Sequence, residues 1–439
     1  MTIDRRQIIK GSAAAVLAGA AATPAPALLD WARAWADEQP FRPEKGAKLR
    51  FLRWGKFLDA EEQATNANID AFTKATGVEV KVDSEWQDDI QTKAAVAANV
   101  GSGPDIIWAL HTTPHLFPDK LLDVTDVADY IGGKYGGWYP IIEQYGKSGN
   151  RWIGIPNIVV GITLNYRISW VKEAGFETFP TDTDGFLKLC QNLNKNGHPA
   201  GFSFGKSAND GNTWCHWMLW AFGGKIVDEQ NKAAINSPET VRALEYAREV
   251  YQVLIPGTTS WNDASNNKAF IAGQISLTNN SISIYGKALQ DKMPMAEDID
   301  HAHFPVGPVG RPMEMHLIYP LITFKYTKYP NAAKAFIAFQ LERAQYDRLL
   351  EGSIGYITQV LKGYENNPVW DRDPKLKAFR DATARAVPVS YAGALGYPSA
   401  SVLSDFVVVD MFADAVTGQS SPKEAAAKAE QRIQRYYKV

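Results

Sequence analysis

Strand-like and helix-like segments alternate over the first quarter of the chain, and this alternation constrains the fold more than any other feature. Residues 48–54 and 78–82 alternate apolar and polar side chains, as half-buried strands do. Residues 104–109 form a short apolar segment, typical of a strand buried on both faces of a parallel sheet. Helical stretches at 60–76 and 88–100 separate the three strands. This spacing is typical of βαβ units, so the sequence predicts an α/β fold with a parallel sheet.

The ends of these strands indicate where a ligand would bind. Ligands of open α/β sheets bind beyond the carboxyl ends of the strands. The first strand ends at Trp54, Glu85 and Trp86 follow the second, and His111 and Thr112 follow the third. We therefore expect a binding cleft at this edge of the sheet.

The N-terminus has the features of an export signal. Arg5 and Arg6, followed by Lys10, stand before a weakly apolar stretch at 11–22. This stretch is shorter than the ~18 apolar residues of a membrane span. Paired arginines in this position resemble a twin-arginine signal, which predicts export to the periplasm.

Two sites with small residues suit cleavage of this signal. Ala34-Trp35-Ala36 predicts a signal peptide over 1–36, and Ala25-Pro26-Ala27 is the alternative. No later segment is apolar enough to span a bilayer, so we expect a soluble exported protein.

The charge balance argues against nucleic-acid binding. The chain has 46 Lys and Arg against 48 Asp and Glu, a net charge of −2. There is no basic surplus to neutralise a phosphate backbone.

The two cysteines, Cys190 and Cys215, leave two alternatives open. An oxidising compartment permits a disulfide between them, and two buried thiols are the other possibility. Neither a metal-ligand cluster nor a P-loop or dinucleotide fingerprint is visible in the sequence, so we expect no metal and no cofactor.

Proline and glycine mark helix starts and chain crossings later in the sequence. Ser237-Pro238 and Ser421-Pro422 each combine an N-cap residue with proline at the first helical position. A further helix is predicted over 331–350 and ends before Gly352. Pro/Gly-rich stretches at 152–161 and 304–312 are candidate passages between lobes.

Six segments, in order, carry a resemblance to a known family. They are Gly101-Ser102-Gly103-Pro104-Asp105-Ile106, Trp152-Ile153-Gly154-Ile155-Pro156, Leu164-Asn165-Tyr166-Arg167 with Lys172-Glu173-Ala174-Gly175-Phe176, Ala221-Phe222-Gly223-Gly224-Lys225-Ile226-Val227-Asp228, Lys268-Ala269-Phe270-Ile271-Ala272-Gly273-Gln274 and Asn331-Ala332-Ala333-Lys334-Ala335-Phe336-Ile337. Over nearly the whole mature chain they resemble the extracellular solute-binding proteins (family 1) of ABC transporters, in the sugar-binding group that includes maltose-binding protein.

This resemblance implies a periplasmic-binding-protein-like fold of type II, with two interwoven α/β lobes joined by a hinge. By order of segments, lobe one would comprise 37–155 and 314–350, and lobe two 156–313 and 351–439. It also implies a monomer that delivers a small solute to the permease subunits of an ABC transporter.

A sugar site needs aromatic planes for the apolar faces of the solute and polar side chains for its hydroxyl groups. The aromatic candidates are Trp54, Trp214, Trp217, Trp261 and Tyr356, and the polar candidates are Glu85, His111, Thr112, Asn279, Asn280 and His316. Which of Trp214, Trp217 and Trp220 faces a ligand is left open, because a stripe at this spacing is equally typical of a helix core.

The sequence therefore predicts a non-enzymatic receptor for a carbohydrate or polyol. One alternative is a receptor for polyamines or other cations, for which Glu85 and Asp263 are the available acidic candidates. A secreted carbohydrate-active enzyme is the other. The motif around Ser203 fits G-x-S-x-G, but a polar loop rather than a helix is predicted to follow it.

Overall fold

The computed structural model describes residues 25–56 and 58–438. The twin-arginine motif lies outside the described residues. The strands are β1 (Lys48–Trp54), β2 (Glu79–Glu85), β3 (Ile106–Trp108), β4 (Lys147–Ser148), β5 (Arg151–Trp152), β6 (Ile155–Val160), β7 (Thr163–Arg167), β8 (Leu277–Asn280), β9 (Ile299–Ala302) and β10 (Leu317–Thr323).

The α-helices are α1 (Ala25–Glu38), α2 (Asp59–Thr76), α3 (Gln87–Val100), α4 (Thr125–Lys134), α5 (Pro140–Gly146), α6 (Ile168–Glu173), α7 (Thr183–Lys195), α8 (Asp210–Ala221), α9 (Pro238–Tyr251), α10 (Ser265–Ile271), α11 (Ser283–Gln290), α12 (Pro330–Gln340), α13 (Arg343–Gly352), α14 (Lys377–Arg380), α15 (Ala382–Arg385), α16 (Tyr397–Ser404), α17 (Val407–Thr417) and α18 (Pro422–Tyr436). Short 3₁₀ helices cover Thr113–Leu116, Pro118–Lys120, Thr258–Ser260, Pro294–Asp298, Lys362–Tyr364, Pro368–Asp371 and Pro374–Leu376.

Lobe one is built on a five-stranded sheet in the order β2-β1-β3-β10-β6. β1 pairs in parallel with β2 and with β3, which confirms the parallel arrangement predicted for the first three strands. β10 runs antiparallel to both β3 and β6, so the complete sheet is mixed. β3 is buried on both faces, as its apolar sequence predicts.

Lobe two contains the antiparallel sheet β8-β7-β9. Helix α8 is buried along its whole length beside it, and Trp214, Trp217 and Trp220 fill the surrounding core. Helices α16 to α18 pack against one another, and α17 packs on α8 and α9. The fold is therefore the predicted pair of interwoven α/β lobes.

The first passage between the lobes lies at Gly161 and Ile162. β6 belongs to the sheet of lobe one up to Val160, and β7 of lobe two begins at Thr163. The chain returns from the sheet of lobe two to that of lobe one between β9 and β10. The lobe boundaries after Ile155 and before Glu314 stay predictions.

Local capping signals in the sequence are confirmed. Ser237 accepts a hydrogen bond from the Thr240 N–H at the start of α9. Ser421 and Glu424 form a reciprocal capping box at the start of α18. Side-chain oxygens at these positions satisfy backbone N–H groups that have no partner within the helix.

The single helix predicted over 331–350 is wrong, because two helices, α12 and α13, occupy this stretch. They are separated at Leu341 and Glu342, and Glu342 has extended backbone angles. The Glu342 carboxylate is fully buried and accepts hydrogen bonds from Trp35, Tyr130, Lys134 and Tyr135. These contacts come from distant parts of the chain, so helical periodicity alone gives no sign of the break.

Helix α1 is packed into lobe one. The Trp35 indole donates to Glu342 Oε1 at 2.8 Å, and its ring lies 4.8 Å from that of Phe339. Cleavage after Ala36 would remove this tryptophan from the lobe, whereas cleavage after Ala27 would retain it. The signal boundary at 36 remains a prediction.

Cys190 and Cys215 are separate, buried thiols. Burial raises the pKa of both well above the ordinary value, which keeps them protonated and unreactive. The sequence leaves open either a disulfide or two free thiols, and the structure contains two free thiols.

A buried carboxylate, Glu314, joins the segments that pass between the lobes. It accepts hydrogen bonds from Arg385 Nε at 3.0 Å and Arg385 Nη2 at 2.5 Å, and it lies 3.1 Å from His316 Nε2. The other ring nitrogen, His316 Nδ1, accepts the Ile162 N–H at 3.0 Å. The Glu314 carbonyl accepts the Val387 N–H at 2.8 Å. Both crossings and the C-terminal segment are thus held at one point.

These contacts determine the ionisation of Glu314. Burial alone would raise the pKa of this carboxyl, but hydrogen bonds from His316 and Arg385 outweigh burial and lower the pKa from 4.5 to about 2. A carboxyl with a lower pKa in the folded state stabilises the fold above pH 4.5. That stabilisation is lost as the pH falls towards 2.

We expect Glu314→Gln to lower the free energy of unfolding at pH 7 by about 3–5 kcal/mol, because it breaks a buried ion pair. The deficit relative to the wild type should narrow between pH 4.5 and 2, as the native carboxylate becomes protonated. Urea unfolding at a series of pH values measures both effects. Glu351→Gln is the control, since the Glu351–Arg372 pair is 31% and 38% exposed and should contribute little. Equal effects of the two substitutions would contradict the role given to Glu314.

Candidate functional site

A cavity of about 30 Å³ lies between the two lobes. Most of the residues that line it are polar, and the lining comprises Gln87, Val160, Ile162, Asn209, Asp210, Asp263, Asn267, Asn280, Ser281, Ser283, Leu317, Tyr319 and Tyr356. Gln87 and Tyr319 come from lobe one, whereas the start of α8 and the end of β8 come from lobe two. The position beyond the end of β2 is the one that strand order predicts for a ligand.

Hydrogen bonds across the cavity hold the two lobes together. His111 Nε2 lies 2.9 Å from Asn209 Oδ1, and the Tyr319 hydroxyl donates to the same oxygen at 3.4 Å. Gln87 Nε2 in turn donates to the Tyr319 hydroxyl at 3.0 Å. Because Asn209 belongs to lobe two and the other three residues to lobe one, these contacts define a closed arrangement.

His111 acts as a neutral hydrogen-bond donor in this arrangement. Burial lowers its pKa from 6.5 to about 4. The Asn209 amide nitrogen donates to Asp263, so its oxygen faces the ring and the imidazole proton is on Nε2. His111 also has a φ of +37°, a backbone conformation rare outside glycine and typical of residues held in place at functional sites.

Asp263 fixes the start of helix α8. Its carboxylate accepts the backbone N–H of Asp210 at 2.9 Å, that of Asn209 at 3.3 Å, and the Asn209 side-chain amide at 3.0 Å. A carboxylate at a helix N-terminus is stabilised both by free N–H groups and by the helix dipole. Asp263 therefore positions Asn209 and Asp210 at the cavity.

Asp210 is a buried carboxylate of the cavity with one oxygen that accepts no hydrogen bond. It is 4% exposed, and its Oδ2 has no hydrogen-bond partner among the described residues. Burial and the charge of Asp263 raise its pKa well above the ordinary value. Gln87 Oε1, on the opposite lobe, is likewise buried without a partner in the described structure.

The remaining polar wall is an ordered network of amides and hydroxyl groups. Asn280 Nδ2 donates to Asn267 Oδ1 at 2.5 Å, and Asn280 Oδ1 accepts from the Ser283 hydroxyl at 2.9 Å. Asn267 Nδ2 donates to the Ser283 hydroxyl at 3.0 Å. These residues come from α10, β8 and α11, so three elements of lobe two fix this wall.

Two of the residues predicted from the sequence, Asn280 and Tyr356, line the cavity. His111 lies immediately behind the lining and contacts it through Asn209 and Tyr319. Thr112 is buried outside the lining, and its carbonyl accepts the His115 N–H in the 3₁₀ turn that follows.

The predicted tryptophan platforms are core residues instead. Trp54 is 1% exposed and packs between Trp108 and Tyr319, with ring centroids 4.5 and 4.6 Å away. The Trp214 ring is fully buried and stacks on Phe202 at 3.8 Å. Neighbouring aromatic side chains cover the ring faces that a solute would need, so these two tryptophans are not platforms for a solute.

Trp217 and Trp261 are also outside the lining. Trp217 is fully buried and donates its indole N–H to the Pro305 carbonyl at 3.1 Å. The half-buried Trp261 ring covers Gly201, where an added Cβ would lie only 2.5 Å from a ring carbon. Its ring is therefore occupied by packing within lobe two.

The predicted polar candidates Glu85, Asn279 and His316 serve structural contacts. Glu85 pairs with Lys93 at 2.7 Å near the surface. Asn279 donates to Thr213 Oγ1 at 2.9 Å and so supports the first turn of α8. His316 belongs to the Glu314 contacts described above.

Several lining residues were missed by the sequence reasoning. Gln87 follows the predicted strand end by two residues, and Asn209 and Asp210 belong to the polar loop that precedes Trp214. Asp263, named in the sequence only as an acidic candidate, does line the cavity. Tyr319 lies within an apolar strand, so its sequence context does not indicate a binding residue.

The G-x-S-x-G motif does not form a nucleophile elbow. The Ser203 hydroxyl donates to the Trp261 carbonyl at 3.1 Å, and α8 begins only at Asp210. An elbow requires a helix directly after the serine. Among the described residues, no three His, Cys, Asp or Glu side chains are grouped so that they could hold a metal ion.

Comparison with known sequences identifies the family. The profile of the family described as "Bacterial extracellular solute-binding protein" matches residues 67–378. The chain belongs to this family. A relative from Deinococcus radiodurans, described as "Probable ABC transporter-binding protein", is 23% identical to this solute-binding protein over 335 residues, 72% of this chain and 78% of that protein.

Solved structures confirm the two-lobed fold of this solute-binding protein. The maltose-bound MalE3 protein of T. maritima superposes with a TM-score of 0.77 at 19% identity, over 89% of this chain and 100% of that one. A solute-binding protein from Agrobacterium vitis with bound D-mannitol gives a TM-score of 0.74 at 17% identity, over 90% of this chain and 99% of that one. In the described part of the chain, every helix is too short or too polar to cross a membrane.

We expect Asn209→Ala to favour an open arrangement of the lobes, because it removes two hydrogen bonds across the cavity worth roughly 1 kcal/mol each. Small-angle X-ray scattering should give a larger radius of gyration than that of the wild type. Asn212→Ala is the matched control, since the Asn212 amide donates to the Ala208 carbonyl within lobe two. A radius unchanged in Asn209→Ala, or enlarged equally in both variants, would contradict the role of Asn209.

Proposed function

We propose that this protein is the periplasmic substrate-binding component of an ABC importer, and that it captures a small carbohydrate or polyol between its lobes. The observation that carries the proposal is the cavity between the lobes, to which both lobes contribute polar side chains. The solved structures of similar fold that hold maltose and D-mannitol support a solute of this class.

The tightness of the closed cleft favours a small solute. The space open to water in it is about 30 Å³, room for roughly two water molecules. Any solute therefore requires the lobes to part, and a single sugar ring or a linear polyol requires less movement than an oligosaccharide.

The polarity of the lining also favours a solute rich in hydroxyl groups. Asp210 and Gln87 offer acceptors without partners in the described structure, one from each lobe. Leaving such groups buried without a partner is costly, and solute hydroxyl groups would remove that cost. Tyr356 adds an aromatic ring for the C–H groups of the solute, and Tyr319 adds a hydroxyl group.

The protein captures a solute when its lobes move about the two crossings that Glu314 holds together. In the open state, each lobe presents its own polar groups to water. A solute that contacts both halves binds the closed state more tightly and shifts the population towards it. The closed monomer then docks on the permease subunits of the transporter and releases the solute there.

We propose a receptor rather than an enzyme. The Ser203 hydroxyl is engaged by a backbone carbonyl. The two carboxylates of the cavity, Asp210 and Asp263, lie on the same lobe rather than on opposite sides of a bound solute. A glycosidase pair flanks the bond that it cleaves.

We expect monosaccharides or linear polyols to raise the melting temperature in a thermal-shift screen that also contains disaccharides, maltodextrins, polyamines and peptides. A solute present at 1,000 times its Kd stabilises the folded state by about 4 kcal/mol. Gln87→Leu should weaken the binding of a confirmed solute at least about tenfold, since it removes a buried acceptor.

Gln252→Leu, an exposed position on lobe two, is the matched control and should bind as the wild type does. A shift with polyamines or peptides alone would overturn the carbohydrate assignment. Turnover of an oligosaccharide by the purified protein, abolished in Ser203→Ala or Asp210→Asn, would show an enzyme instead.

A further inference from the structure

The cavity carries negative charge without a basic partner in its lining. Asp210 and Asp263 both line it, and its described lining contains no Lys, Arg or His side chain. The buried Arg53, whose charge acts on Tyr356, is paired with Glu61 at 2.6 Å. A buried carboxylate that is neither paired nor fully hydrogen-bonded is unfavourable.

The two carboxylates differ in how they are compensated. Asp263 accepts backbone N–H groups at the start of α8, which satisfies its charge from within the protein. Asp210 lies in the first turn of the same helix, yet its Oδ2 has no partner in the described structure. Burial and the charge of Asp263 raise the pKa of Asp210, and a hydrogen bond with the Asn266 side chain offsets this only in part.

A second observation points independently to the same kind of solute. Gln87 Oε1, which comes from lobe one, is 3% exposed as a residue and is also without a partner in the described structure. The Gln87 amide nitrogen already donates one N–H to the Tyr319 hydroxyl, whereas its oxygen accepts no hydrogen bond in the described structure. The buried side-chain atoms of the lining without a partner there, Gln87 Oε1 and Asp210 Oδ2, are therefore both oxygens, one on each lobe.

A protonated amine fits these acceptors better than a hydroxyl group does. An ammonium group has three donors and no acceptor, whereas a hydroxyl group also brings lone pairs that need donors. Hydrogen bonds between an ammonium and a carboxylate are about twice as strong as neutral ones. The Tyr356 ring in the lining is also attractive to a cation.

We infer that the solute is a small polyol that carries a protonated amine, which Asp210 binds through its unpartnered Oδ2 while Gln87 Oε1 accepts a further hydrogen bond. The inference rests on the proposed function and narrows the solute class of the same site. In this inference, Asp210 recognises the charge of the solute, and Asp263 holds Asp210 in place.

Matched pairs of solutes test this inference, because each pair differs only by an amine in place of a hydroxyl group. The pairs are glucosamine with glucose, galactosamine with galactose, mannosamine with mannose, and glucamine with sorbitol. Isothermal titration calorimetry at pH 7 on the wild-type protein should show at least about tenfold tighter binding of the amine in one or more pairs.

Asp210→Asn should reduce this preference to about one, since the amide keeps the size and removes the charge. Asp291→Asn is the control, because Asp291 pairs with Lys287 on the surface of lobe two and should leave the preference unchanged. If Asp210→Asn fails to fold, the affinities of the amine and neutral solutes for the wild-type protein still test the inference.

Equal or tighter binding of the neutral member in every pair that binds would overturn the inference and leave the proposed function intact. The same holds if only larger, neutral sugars bind. If polyamines bind and no sugar or polyol does, the proposed function itself fails and the inference fails with it.

Discussion

The ion pair between Glu314 and Arg385, extended through His316 to Ile162, is the contact on which the two-lobed arrangement depends. It holds both lobe crossings and the C-terminal segment at a single buried point. The carboxylate is ionised because its donors outweigh the cost of burial. A fixed point of this kind lets the lobes rotate as bodies while the crossings keep their register.

The cavity is a consequence of that geometry. Lobe one supplies Gln87 and Tyr319, and lobe two supplies the start of α8 with Asp210. In the closed state, Asn209 completes hydrogen bonds with His111 and Tyr319, but Asp210 and Gln87 retain acceptors without partners. Closure without a solute therefore leaves polar groups unsatisfied, and closure around a suitable solute does not. These unpartnered acceptors also make binding selective. A solute that lacks hydrogen-bond donors would leave them buried without a partner and would therefore bind more weakly.

Local signals in the sequence predicted the fold well, and side-chain roles less well. Strand alternation, the apolar β3 segment and the caps at Ser237 and Ser421 depend on neighbouring residues, so the sequence contains them. The break at Glu342 depends on Trp35 and Lys134, which are distant in sequence, so periodicity could not indicate it. Strand ends located the cleft correctly, but Gln87 rather than Glu85 enters it. The tryptophans at these positions are covered by other rings, which only the packing reveals.

The central claim is that one small solute occupies the cavity and is contacted by both lobes at once. A crystal structure of the protein with a solute from the screen tests this most directly. The account predicts electron density for one molecule within hydrogen-bond distance of Asp210 from lobe two and Gln87 from lobe one. A solute bound elsewhere on the protein, or held by one lobe with the lobes apart, would contradict it.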